Sequence, residues 1–301
     1  MRGGGSDECG FRSGTGDRLE FVVADLADRA GWDEAMAGCD YVIHPASPLG
    51  GANPDKPDEF IVPAREGVLN VLGAATAAGV KRVVMTSAAN TASPASYTED
   101  GVFDENTRTE DDPSFGAYRR SKIIAERTAW EFMAGHAGAT TLTTVLPGAV
   151  FGPVLSPANL RSVRIIQGLL AGAMPGVPKI GLEVVDVRDV VALHLDAMTA
   201  PEAAGERFLG TGDFMWMLDI AEALRHTFGH EAERVPTLEL PEAAVREAAR
   251  TDPGLREILP ALGRRSVHST DKARRVLGWQ PRPATDTVVD AARSILRRQP
   301  A

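Results

Sequence analysis

The stretch "CGFRSGTGDRLEFVVADL", residues 9–26, decides how the chain enters its fold. Gly10, Gly14 and Gly16 stand at the spacing G-x-x-x-G-x-G, which suits a loop that wraps a phosphate. Such a loop works only between a buried strand that delivers the chain and a helix whose free N–H groups meet the anion. Here the order is reversed. Upstream lies the polar, glycine-rich "MRGGGSDE", and downstream the β-branched run "LEFVVA" (19–24) reads as a strand. The three glycines are therefore read as a chance echo within a tail over 1–16, with the fold expected to start at Asp17.

Outward from that strand, short apolar runs alternate with longer helical patterns. A helix is expected near 31–37, then "DYVIHP" (40–45), a helix across 57–79, "RVVMTS" (82–87), a helix from 117 to about 135 and "TLTTVLPG" (141–148). This βαβ alternation implies an α/β protein with a parallel sheet covered on both faces. Beyond Pro153, proline and glycine become frequent in "GPVLSPANL" and "GAMPGVPKIG". The strand-like "EVVDV" (183–187), a helix over 189–199 and "ERFLGTG" (206–212) follow, and then mainly helices. The expected organisation is a sheet domain over 17–153 and a smaller, mostly helical substrate domain over 154–301, with 183–212 returning to the sheet.

Composition narrows the function. With 301 residues, 44% of them apolar, the chain can bury a sizeable core. A net charge of −9 argues against nucleic acid or an anionic membrane as partner, since either calls for a basic patch, and favours small molecules. No run approaches the eighteen or so apolar residues of a membrane span, and the first ten residues lack a secretory apolar stretch, so a cytoplasmic protein is expected. Cys9 and Cys39 offer no disulfide framework. His226 and His230 in "HTFGH" stand four apart, but Gly229 reads as a helix end and no third ligand is near, so no metal site is expected.

The sharpest chemical signal is "YRRSK", residues 118–122. Four residues is just over one helical turn, so Tyr118 and Lys122 share a face of the helix expected there. A phenol is a poor acid at its ordinary pKa near 10, but an adjacent ammonium favours the phenolate and lets it exchange a proton near neutrality. That suits protonation of a carbonyl oxygen as hydride reaches its carbon.

At this point the chain resembles the extended short-chain dehydrogenase/reductase family (the NAD-dependent epimerase/dehydratase superfamily), in particular its dihydroflavonol reductase-like branch. The resemblance runs from Asp17 to about Arg297. "ADLAD" resembles the family's adenine contact, which places Asp25 on the exocyclic amine and Leu26 beside the ring. "VIHPASP" is similar to the segment that sets Pro45, Ala46 and Ser47 along the cofactor. "PAREGVLNVLGAA" resembles the following helix, with Asn70 in the family's asparagine position, and "YRRSKIIAERTAW" the catalytic helix. "LPGAVFGP" resembles the segment that puts Pro147, Ala149 and Val150 near the nicotinamide; "VDVRDVVALHLDAM" and "STDKARRVLGWQP" resemble two later landmarks. The implied fold is a Rossmann-type sheet. The implied reaction is NAD(P)H-dependent reduction of a ketone or aldehyde, or its reverse, with Tyr118 as acid/base and Lys122 tuning it and anchoring the ribose.

Two departures from the family pattern stand out. The serine or threonine that steadies the developing oxyanion is replaced by Ala88 in "VVMTSAANTA". Ser87 is a candidate carbonyl donor but points to the other face of an extended strand, leaving Asn90 or Thr91 to reach in. In addition, "DRLEFVVADL" resembles the family's third strand, and the sixteen residues before Asp17 are too few for two strands and two helices. The expectation is a scaffold lacking its first βαβ unit, with impaired catalysis, exposed strands prone to self-association, and a cofactor, NADP slightly ahead of NAD, whose phosphate loop is absent. The alternatives are a sugar-nucleotide epimerase or dehydratase of the same superfamily, or a non-catalytic remnant. "HPASP" and "FGP" favour the reductase branch.

Overall fold

A computed structural model describes residues 19–48, 56–94, 100–156 and 162–298. Gly10, Gly14, Gly16 and Cys9 lie outside the described residues. In chain order the first half contains α1 (Trp32–Met36), β1 (Tyr41–His44), α2 (Asp58–Ala77), β2 (Arg82–Thr86), β3 (Gly101–Phe103), α3 (Ala117–Ala134), β4 (Thr141–Pro147) and β5 (Ala149–Phe151). The second half contains α4 (Arg164–Ala171), β6 (Gly181–Asp186), α5 (Val187–Thr199), β7 (Arg207–Gly210), β8 (Phe214–Trp216), α6 (Met217–Phe228), α7 (Glu242–Ala248), α8 (Pro253–Ile258), β9 (Ser266–His268), α9 (Asp271–Leu277) and α10 (Ala284–Leu296).

The main sheet runs β1-β2-β4-β7 and every pairing in it is parallel. Its inner strands β2 and β4, and β7 beside them, are buried almost throughout because both faces are covered, whereas β1 is buried only at His44. Along β2, Val83 and Met85 pack under α1 and α2, whereas Val84 faces the opposite core with Leu193 of α5 and Ala273 of α9. On α2, Ala64, Val68, Val71, Leu72 and Ala75 recur at helical spacing and form the face laid on the sheet. A third core, built from Phe151, Ile166, Leu169, Val184, Ile220, Leu224 and Val288, holds the C-terminal half together.

The chain steps between the two halves at Gly148. From β4 it passes directly into β5, which pairs with β6 parallel, and β6 pairs with β8 antiparallel. A Cβ at position 148 would lie 2.4 Å from the Glu183 carbonyl oxygen, so only glycine permits this approach. Separately, β3 and β9 pair in parallel and bring residues 101–103 beside 266–268.

Two expectations are corrected. Residues 19–24 form no strand: Phe21 and Val23 are 80% and 93% exposed, and the segment crosses the start of α1, where a Cβ on Gly31 would meet the Val23 carbonyl oxygen. A β-branched run becomes a strand only where a neighbour completes its hydrogen-bond ladder. Among the described residues β1 consequently stands at the sheet edge with one side unpaired. Of the stretch 183–212, only β7 returns to the main sheet; 183–186 belongs to β6 in the second sheet.

Candidate active site

A cavity of about 540 Å³ opens at the carboxyl ends of the main strands. Parallel strands converge their C-terminal loops there, the usual place for a ligand in an open α/β sheet. Pro45 and Ser47 follow β1, Ser87 and Ala88 follow β2, Pro147 ends β4, and Ala149 and Val150 open β5; all of them line it. Tyr118 and Lys122 reach it from α3. Ala46 is exposed and is not among the lining residues. Asp25 and Leu26 lie away from this cavity: Asp25 accepts the Ala27 N–H at 2.9 Å in a turn, and Asn70 Nδ2 donates to the Leu26 carbonyl at 2.9 Å. Asn70 thus fixes the backbone on which Asp25 and Leu26 sit.

Lys122 is 5% exposed, and its Nζ donates to the Thr86 carbonyl at 3.4 Å. Burial pushes its pKa down to about 8, against the opposing pull of the Glu126 charge. Tyr118, one turn earlier, is 41% exposed at the cavity mouth. His44, at the end of β1, is buried; burial first and the Lys122 charge second lower its pKa to about 4, so its ring is neutral at pH 7. Thr86 is itself pinned from the far face of the sheet. His194 Nδ1 lies 2.7 Å from the Val190 carbonyl and so carries the proton, leaving Nε2 to accept from Thr86 Oγ1 at 2.7 Å.

Ser87 is placed beside the cavity but turned away from its chemistry. Its Oγ donates to Glu126 Oε2 at 2.7 Å, which consumes its single proton. Thr91 Oγ1 is likewise within 2.5 Å of that carboxylate and 2.9 Å of the Ala88 carbonyl. Glu126 also accepts from Thr144 Oγ1 at 2.8 Å and Arg207 Nε at 2.9 Å. Burial alone would raise the Glu126 pKa; the Arg207 charge and these hydrogen bonds outweigh it and hold the carboxyl below its ordinary value. Ser87 is therefore corrected from a candidate carbonyl donor to an anchor of the loop that carries Ala88, and Thr91 shares that task. Asn90 remains: it lines the cavity, and its Oδ1 is buried without a hydrogen-bond partner among the described residues.

Glu126 was legible in principle, because it continues the Tyr118, Lys122 spacing by four more residues on the same helix face. His44, Glu183 and His268 carry no local signal. Among the described residues there is no group of three His, Cys, Asp or Glu side chains able to hold a metal, and no helix long and apolar enough to cross a membrane.

The site fits a nicotinamide dinucleotide at its ribose end. An ammonium offers three donors, and the buried Lys122 spends one on a long bond, leaving capacity for vicinal hydroxyls. Pro147, Gly148 and Ala149 line the same cavity with little side-chain bulk.

Comparison with known proteins agrees. The model of the NAD dependent epimerase/dehydratase family matches residues 3–209. The chain is 32% identical to ketoreductase azaE of Aspergillus niger, over 95% of this chain and 85% of that protein. It is 34% identical to cinnamoyl-CoA reductase 1 of Petunia hybrida over 71% of this chain, and spans 64% of that protein's length. In fold it is similar to yeast methylglyoxal/isovaleraldehyde reductase Gre2, solved with NADPH, at a TM-score of 0.74, 24% identity, and coverage of 91% of this chain and 82% of that one. The chain belongs to the NAD dependent epimerase/dehydratase family, the extended short-chain dehydrogenases/reductases, within its dihydroflavonol reductase-like branch.

Proposed function

We propose that this protein catalyses NAD(P)H-dependent reduction of a ketone or aldehyde, or its reverse, with Tyr118 as the proton donor. The observation that carries the reading is the pair on α3: Tyr118 at the cavity mouth and, one turn on, the buried Lys122 whose pKa of about 8 leaves it charged at neutral pH. The dinucleotide, when bound, supplies the hydride. Tyr118 hydrogen-bonds the substrate carbonyl and passes its phenolic proton to the oxygen as negative charge gathers there. Lys122 stabilises the phenolate left behind and holds the ribose; the neutral His44 adds no competing charge. Pro45, Ala46, Ser47, Pro147, Ala149 and Val150 would flank the cofactor, and Asp25 and Leu26 its adenine end. Asn90 is the group we assign to the carbonyl in place of the absent serine, since it lines the cavity and its amide nitrogen carries two donors. The segment 154–301 acts as the substrate domain and supplies the opposite wall.

The test is NADPH or NADH oxidation with a panel of aryl and alkyl ketones. Tyr118→Phe keeps the ring and removes the proton, and should lower turnover by about 10²- to 10⁴-fold while dinucleotide binding persists. Full activity in that variant, or turnover of a nucleotide sugar with none of the ketones, would overturn the assignment.

A further inference from the structure

The cavity is also lined by polar groups that the reduction as described does not use. Glu183 of β6, Ser266 and His268 of β9, and Ser93 all line it, among the apolar Leu182 and Phe214. Their roles differ sharply. His268 is fully held: its backbone N–H donates to Glu183 Oε1 at 2.7 Å, its Nδ1 lies 2.5 Å from Glu183 Oε2, and its Nε2 lies 3.0 Å from Ser93 Oγ. A carboxylate only accepts, so Nδ1 carries the proton and the ring cannot turn. Ser266, two residues earlier on the same strand, shares the face of His268. Its Oγ is buried and has no hydrogen-bond partner among the described residues. The only imidazole near it along the strand is already committed to Glu183 and Ser93.

A buried hydroxyl left unpaired bears its whole desolvation cost, so an orphan of this kind asks for a partner that the folded chain does not supply. We propose that Ser266 is a specificity-determining residue whose hydroxyl, turned about χ1 into the cavity its residue lines, hydrogen-bonds a hydroxyl or second carbonyl oxygen of the substrate, remote from the reacting carbon. The substrate class is then a carbonyl compound bearing a further oxygen function, and the Glu183–His268 clamp keeps β9 in register to present Ser266. The inference rests on the reductase reading. A site built to pair a substrate oxygen discriminates strongly against the analogue lacking it, because its own polar group is then stranded.

The experiment compares wild type and Ser266→Ala on acetophenone and its meta- and para-hydroxy derivatives, with ligand-free thermal melts of both proteins. Wild type should prefer one hydroxylated ketone by about tenfold or more in kcat/KM. Ser266→Ala should lose that preference while acetophenone turnover stays within about twofold, and its Tm should match or exceed that of wild type, since no bond within the fold is lost. An unchanged preference in the variant, no preference in wild type, or a lowered Tm would overturn this inference alone. Failure of wild type to reduce any of the ketones would overturn the reductase reading, and this inference with it.

Discussion

Replacing Lys122 with methionine should stabilise the fold while ending the chemistry. Lys122 is 5% exposed and its pKa falls from 10.5 to about 8, chiefly through burial. At about 1.36 kcal/mol per pKa unit, the charged form bears a penalty of roughly 3 kcal/mol in the folded state. The sign follows from proton counting. Below pH 8 the lysine is charged in both states and the penalty is complete. Between about 8 and 10.5 the unfolded chain still binds the proton that the native chain has released, so wild-type stability gains with rising pH. Above 10.5 the group is neutral in both states. Methionine fills a similar volume, is unbranched and carries no charge. Lys122→Met should therefore be more stable than wild type by up to about 3 kcal/mol at pH 7, with the advantage gone by about pH 10.5. Urea unfolding of both proteins at pH 7 and pH 10, beside ketone reduction at pH 7, reads the effect. A variant less stable at pH 7, or equally favoured at both pH values, would refute the burial argument; an active one would refute the role of Lys122.

Three further outcomes can be checked with the same preparations. Ala88→Ser should leave kcat within a few-fold, because Asn90 already donates to the carbonyl; a rise of about tenfold or more would show that the place where oxyanion charge develops lacks a donor. Glu126→Leu leaves the Arg207 charge, on a side chain 4% exposed, without its counter-ion and should cost about 3–5 kcal/mol in urea unfolding, part of it recovered by adding Arg207→Met, since the hydroxyls of Ser87, Thr91 and Thr144 still lack their acceptor. Additive losses would show the two are uncoupled. On the edge strand β1, Ile43 is 38% exposed, and Ile43→Lys should suppress a concentration-dependent association visible by light scattering. A wild-type chain that stays monomeric at every concentration would disprove that use of the edge.

The alternation of apolar runs disclosed most of the main sheet and the helices that cover it, because period and length are local properties. The short strands β3, β5, β8 and β9 escaped notice, since three residues hold too little pattern and their pairing is long-range. Residues 19–24 show the opposite error: strong β propensity without a neighbour to pair with. In the site, Tyr118 and Lys122 were readable because they lie one turn apart. The fate of Ser87 was not, for its proton goes to a carboxylate 39 residues further along the chain. Ser266 and the Glu183–His268 clamp were equally hidden, since the clamp spans 85 residues.

The step at Gly148 places the two walls of the cavity on separately packed cores. Tyr118 and Lys122 stand on a helix bound into the core under β2 and β4, whereas Leu182 and Phe214 belong to strands backed by the core of Phe151, Val184 and Ile220. Substitutions can accumulate in the second core, reshaping what the cavity admits, while the proton-transfer pair stays in place. A scaffold divided in this way lets lineages diverge in substrate without re-inventing a reaction. Directed-evolution libraries aimed at new substrates belong on β6, β8 and β9, and those aimed at rate on α3 and the turn that follows β2.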